Sequence, residues 1–163
     1  AGPDAAIPEC PGWTAGDLAW HVAGVWSRWA TIVDIGSGAG LPIIPCLITR
    51  ADLSAVLIES AKKKAVFLRE ALKKVGRETS AQVKAERFEA QATPDAQIIT
   101  ARALDRFTEM LPRVIKWAPQ PRTLLFFGGN ELKETLKNLG LKYEDLLIPN
   151  SERRFLFVIQ LDQ

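Results

Sequence analysis

Asp34-Ile35-Gly36-Ser37-Gly38-Ala39-Gly40-Leu41-Pro42 joins an apolar run, Thr31–Ile35, to a helix expected through about residue 50. The run has the length and β-branched content of a buried strand. Three alternating glycines then set a turn so tight that a Cβ would block a ligand from approaching the main chain. The helix that follows would offer its first N–H groups to negative or polar ligand atoms. The stretch therefore predicts a strand–turn–helix unit with a small-molecule site at its bend. The plain alternative is a tight turn that does no more than bury and cap an aspartate.

Downstream, strand and helix patterns alternate. Residues 55–59 read as a second strand, and 61–75 as a helix with Ala61, Ala65, Leu68, Leu72 and Val75 on one face and Gly76 as its stop. Further strands are expected at 81–85, 97–101 and 123–127, with helices over 104–117 and about 131–139. Two late strands, 142–148 and 154–161, meet at a turn over Pro149-Asn150-Ser151 and are expected to form an antiparallel edge. The alternation predicts an α/β, Rossmann-like fold: a mostly parallel seven-stranded sheet with helices on both faces. Residues 1–30 differ. A proline-rich lead-in precedes one expected helix, capped by Thr14, with Leu18, Val22, Val25, Trp26 and Trp29 as its apolar face. Four of the five tryptophans sit there, which places a segment boundary at Ala30/Thr31.

Composition narrows the function classes. At 163 residues with 47% apolar and 25% charged residues, the chain fits one domain with a short appendage. Two cysteines, Cys10 and Cys46, form no C-x-x-C pair and stand in no Cys/His cluster, so neither a zinc site nor a disulfide framework is expected. No apolar run approaches the ~20 residues of a membrane span, and the chain is expected to be cytoplasmic. The net charge is only +2, but between residues 60 and 87 Lys62, Lys63, Lys64, Arg69, Lys73, Lys74, Arg77, Lys84 and Arg87 face only Glu70, Glu78 and Glu86. Such a stretch either tracks phosphates or is a solvated helix face, and both readings stay open here.

The glycine spacing carries chemical content. It is D-x-G-x-G-x-G, whereas enzymes that aim a helix at a nicotinamide cofactor's pyrophosphate carry G-x-G-x-x-G. S-adenosylmethionine has no phosphate, and an acidic residue before the first glycine, Asp34, suits the ammonium of its amino-acid end. Glu59 lies nineteen residues beyond Gly40 at the end of the second strand, where a carboxylate accepts two ribose hydroxyls. The alternative for Glu59 is a solvent-facing strand end. A nicotinamide-dependent dehydrogenase is the rival that the spacing disfavours.

Three blocks, DIGSGAGLP, LIES with the following AKKKAVFLREAL, and TARALDRF, resemble the small-subunit rRNA guanine-N7 methyltransferases, the glucose-inhibited division protein B family. The similarity runs from about Thr31 to the C-terminus. It implies S-adenosylmethionine as cofactor and methyl transfer to a guanine N7 of small-subunit rRNA as activity. By motif it places Asp34, Gly36, Gly38 and Gly40 at the methionine end, Glu59 at the ribose, Phe88-Glu89 beside the adenine and Arg102 facing the methyl-transfer cleft. The alternative for Arg102, read from the residues alone, is a salt bridge to Asp105 or Glu109.

The chain departs from that pattern in three places. Ile43 stands where the family has Gly, and its bulk is expected to crowd the cofactor or a neighbour. Phe127-Gly128-Gly129 stands where it has Lys-Gly. Residues 10–30 resemble instead the first helix of the mycothiol-dependent maleylpyruvate isomerase, or DinB-like, family, a metal-binding bundle in which His21 matches a ligand position. His21 is the single histidine, so no three-histidine site can form and no metal is expected. The alternative reading is therefore a recombined or engineered chimera, joined near Ala30/Thr31, that keeps the fold with weakened or lost cofactor binding.

Overall fold

The computed structural model describes residues 30–102, 107–118 and 122–161. The expected N-terminal helix, with its tryptophans, His21 and Cys10, lies outside them, as do Leu104 and Asp105.

Seven strands form one sheet: β1 (Thr31–Ile35), β2 (Ser54–Ile58), β3 (Ala81–Lys84), β4 (Ile98–Arg102), β5 (Arg122–Gly128), β6 (Glu144–Leu147) and β7 (Phe155–Leu161), in the order β3-β2-β1-β4-β5-β7-β6. The first five run parallel, whereas β7 lies antiparallel to β5 and β6 antiparallel to β7. The predicted antiparallel edge is present. The last strand is inserted between β5 and β6.

β1 and β4 sit at the centre and are buried nearly throughout, as strands covered on both faces must be. Successive residues of β1 feed opposite layers. Ile32 packs with α1 (Ile43–Thr49) and α2 (Lys62–Lys74), while Val33 and Ile35 pack with α3 (Phe107–Trp117) and α4 (Asn130–Asn138). In α2 the buried stripe is Ala65, Leu68 and Leu72, at helical spacing. Ala61 and Val75, expected on that stripe, are exposed because they flank the helix at its two ends. Gly76 (φ 68°) ends α2, and the Arg77 N–H closes back on the Leu72 carbonyl at 2.9 Å.

That closure turns the Arg77 guanidinium toward the α1–β2 loop. Its Nη2 donates to the carbonyls of Arg50, Ala51 and Leu53 at 3.3, 3.4 and 2.8 Å. Arg69 Nη2 likewise donates to the Val83 carbonyl at 3.2 Å. Two cations of the basic stretch are thus committed to main-chain acceptors. Arg77→Met, which keeps the aliphatic stem and removes the donors, is expected to lower stability by about 2–4 kcal/mol, the order of losing charged donors to part-buried carbonyls. A urea midpoint lower at unchanged m is the readout; an unmoved midpoint would show that the clamp contributes nothing.

Among the described residues, no helix is long and apolar enough to cross a membrane.

Candidate active site

The chain order on the two sides of β1 reverses: β2 and β3 extend one way, and β4 and the remaining strands the other. A crevice opens beyond the carboxyl ends of the strands at such a reversal, and ligands of open α/β sheets bind there. Asp34, the glycine turn, Glu59, Phe88-Glu89 and Arg102 all lie at or just beyond those carboxyl ends.

The turn is tied to the neighbouring strand. The N–H groups of Gly36 and Ser37 both donate to the Ile58 carbonyl, at 2.8 and 3.2 Å, and the Gly40 N–H donates to the Ser37 carbonyl at 2.7 Å. Gly36, Gly38 and Gly40 have φ of 69°, 55° and 83°, a region that L side chains rarely adopt. Beyond that shared constraint, two of the glycines do different work. A Cβ on Gly40 would fall 2.3 Å from Ile44 Cδ1, so this glycine lets the turn close on the core. Among the described residues a Cβ on Gly38 would meet only the Gly36 carbonyl, at 3.7 Å, so none of them closes over its bare side. The helix is less involved than expected: α1 starts at Ile43, after a cis Leu41-Pro42 bond. Ile43 does not crowd the turn, because its side chain is fully buried in the α1–α2 core.

Glu59 is 6% exposed and braces the turn from the adjacent strand. Its Oε2 accepts the Gly38 N–H at 2.9 Å, and its Oε1 accepts the Ala61 N–H at 2.8 Å at the start of α2. It is not a free strand-end side chain. Each oxygen keeps a second acceptor direction for a hydroxyl.

Asp34 is 1% exposed. Thr100, its register partner on β4, donates its hydroxyl to Oδ1 at 2.6 Å. Oδ2 is buried with no hydrogen-bond partner among the described residues. Burial raises the carboxyl from 3.8 to about 7; the Thr100 and Ser37 hydroxyls and the Arg102 charge offset part of this, and Glu59 adds to it. The Ser37 hydroxyl itself donates to the Asp34 main-chain carbonyl at 3.0 Å. The sequence reading misses Thr100. A hydroxyl inside the apolar strand Ile98–Arg102 is the signal that could have found it.

Phe88 and Glu89 form a short 3-10 turn that is docked on α3. Phe88 is buried and meets Trp117 edge-on, with centroids 5.4 Å apart. Glu89 pairs with Arg113 at 2.6 Å, and Trp117 Nε1 donates to the Gln91 carbonyl at 3.0 Å. Both side chains are thus engaged with α3, which leaves the turn's main chain as the part closest to a ligand role. Arg102 is half-buried at the end of β4, one residue beyond Ala101, the register partner of Ile35. Gly128 is required by packing, since a Cβ there would lie 2.5 Å from Leu132 Cδ2.

An acidic pair beneath and beside an open glycine turn suits a ligand with a cationic end and a diol. Comparison with known proteins agrees. Residues 20–148 match the family described as rRNA small subunit methyltransferase G (GidB). Curated relatives of that name come from Sorangium cellulosum (35% identical over 114 residues, covering 68% of this chain and 47% of the relative) and Pelotomaculum thermopropionicum (31% over 145 residues, 80% and 61%). A third, from Xanthomonas euvesicatoria, is 47% identical over 77 residues, 46% of this chain and 35% of the relative. The chain thus spans roughly a third to three fifths of the length of these relatives. Among solved structures, a putative S-adenosyl-L-methionine-dependent methyltransferase from Methanococcus maripaludis superposes with TM-score 0.71 at 14% identity, covering 90% of this chain and 84% of that one. An RNA methyltransferase from Salinibacter ruber in complex with S-adenosyl-L-homocysteine gives 0.66 at 15%, covering 90% of each chain. At such identities these structures share the fold. The family match begins at residue 20, ahead of the boundary expected at Ala30/Thr31, and the comparisons lend no support to a chimera. The chain belongs to the rRNA small subunit methyltransferase G family.

Proposed function

We propose that this chain binds S-adenosylmethionine at the glycine turn and transfers its methyl group to a guanine N7 of small-subunit rRNA in the cytoplasm. One observation carries the cofactor reading: among the described residues the buried Oδ2 of Asp34 has no hydrogen-bond partner, under a glycine turn whose Gly38 side none of them covers. Family membership and the relatives' printed names support the RNA substrate.

In this reading Asp34 accepts the ammonium of the methionine end, and the main chain of Gly36–Gly40 lies along it. Glu59 uses its remaining acceptor directions for the two ribose hydroxyls. The turn at Phe88-Glu89 borders the adenine, with Phe88 and Glu89 held by α3. Arg102 holds a phosphate or base edge of the RNA beside the cleft. The cofactor supplies a methyl group already activated on a sulfonium. Guanine N7 carries a free lone pair at neutral pH, so no general base is needed. The protein's contribution is alignment of nucleophile, methyl and sulfur, the proximity effect worth several kcal/mol.

Calorimetric titration should show saturable binding of S-adenosylmethionine and S-adenosylhomocysteine and none of NADH. Label from a tritiated methyl donor should then appear in small-subunit rRNA as 7-methylguanine. NADH competing for the site would sink the cofactor reading, and label in a protein or in large-subunit RNA would sink the substrate.

A further inference from the structure

Helix α2 buries Ala65, Leu68 and Leu72 and turns its opposite face outward. On that face Val66 is 56% and Phe67 54% exposed, so an aromatic ring stands half in water. Lys63 and Lys64 lie one turn before Phe67 and Glu70 one turn after it, with Lys74 a turn further, all exposed. Lys62 and Lys73, also exposed, flank the row. Lys63 to Lys74 spans about 16 Å of helix axis at ~1.5 Å per residue. The row starts at the candidate active site, because Glu59 holds the Ala61 N–H at the head of the same helix.

An apolar ring ringed by lysines is poor ground for a protein partner, since lysine is depleted at the core of protein interfaces. It matches single-stranded nucleic acid, which is bound by cations along its backbone and aromatic rings against its bases. We propose that the outer face of α2 is the RNA-contact surface of this chain, with Lys63, Lys64 and Lys74 on backbone phosphates and Phe67 stacked on an unpaired base. The proposal rests on the RNA substrate proposed above. Arg69 and Arg77 take no part, because their guanidinium groups serve main-chain carbonyls. Glu70 is the one adverse charge in the row.

Fluorescence anisotropy with a labelled, unstructured RNA of about a dozen mixed nucleotides tests it across a salt series. For the wild-type protein, affinity should fall linearly with log salt. The Lys63→Ala/Lys64→Ala double variant should bind more weakly, with a slope shallower by about 1.4, at ~0.7 for each single-strand phosphate that is no longer neutralised. Phe67→Ala should lose roughly 5- to 150-fold in affinity at unchanged slope, and Phe67→Trp should restore it. Glu70→Lys should tighten binding and steepen the slope, a gain that misfolding cannot imitate. S-adenosylhomocysteine titration of each variant should match wild type. If Phe67→Ala and Glu70→Lys leave RNA binding unmoved while the cofactor still binds, the surface assignment fails and the cofactor reading stands. Absence of cofactor binding in the wild-type protein would instead remove the function proposed above. Failure of the wild-type protein to bind the RNA overturns the surface, as does a Phe67→Ala variant that changes only the sedimenting mass.

Discussion

Asp34→Asn is expected to flatten the pH dependence of stability between about pH 4 and pH 7. Burial holds the Asp34 carboxyl at about 7 in the native chain, against 3.8 for an exposed one. Below pH 3.8 native and unfolded states both carry the proton. Between the two values the native state keeps a proton that the unfolded chain has released, so stability falls as pH rises. The protonated group's contribution is complete below the unfolded value and lost as pH climbs to about 7. Relative to the asparagine variant, the wild-type protein should therefore lose roughly 4 kcal/mol across this window, at 1.36 kcal/mol per pH unit. Asparagine can still accept from Thr100, which separates the titration from the loss of that bond.

The same variant probes the site. A cofactor ammonium beside Asp34 favours the ionised carboxyl, so binding should release a proton and affinity should rise with pH up to about 7. Asp34→Asn should bind about 10- to 150-fold more weakly, the order of a hydrogen bond to a charged group, with no pH trend from this source. Calorimetry in buffers of different ionisation enthalpy counts the released proton. A wild-type affinity independent of pH between 5.5 and 7.5 would place the ammonium elsewhere.

Glu59→Ala should be the more damaging change, because this carboxylate braces the turn before any ligand arrives. Removing it strips acceptors from the Gly38 and Ala61 N–H groups, and at about 1.5–3 kcal/mol each the expected cost is roughly 3–6 kcal/mol of stability. Affinity for S-adenosylmethionine should fall as well, by more than a ribose contact alone would explain, since Gly38 is no longer fixed. Glu59→Gln keeps one acceptor oxygen and should fall between the two in urea denaturation and in titration. An unchanged unfolding midpoint in Glu59→Ala would mean that the brace does not form in solution. A destabilised variant with unchanged affinity would confine Glu59 to structure.

The sheet and the placement of the glycine turn and Glu59 at its strand ends were legible because their signals are local. Thr31–Ile35 is an apolar run stopped by a glycine, and the structure ends β1 at Ile35, just before it. Glu59 follows the last residue of β2, and its N–H still joins the Lys84 carbonyl at 3.0 Å, so its placement at the strand end was sound within one residue. What escaped was set by contacts between distant segments. Thr100 reaches Asp34 only through the register of β1 on β4, across 66 residues of chain. Arg77 showed its charge in the sequence but not its acceptors, which come within reach only once α2 has folded back over the α1–β2 loop. Ile43 looked like an obstruction because its position beside the glycines was visible and its inward orientation was not.

The place of β7 also has a consequence for how the protein is made. β6 lies at the border of the sheet and leans on β7, while β7 also closes the far side of β5. A nascent chain released from the ribosome in order therefore exposes Glu144–Leu147 before its partner exists. Until Phe155–Leu161 emerges, the apolar flank of β5 is an unpaired strand edge, open to strands of other chains. The parallel half carrying the glycine turn can assemble early, but the edge of β5 is closed only when β7 slides in between two already synthesised strands.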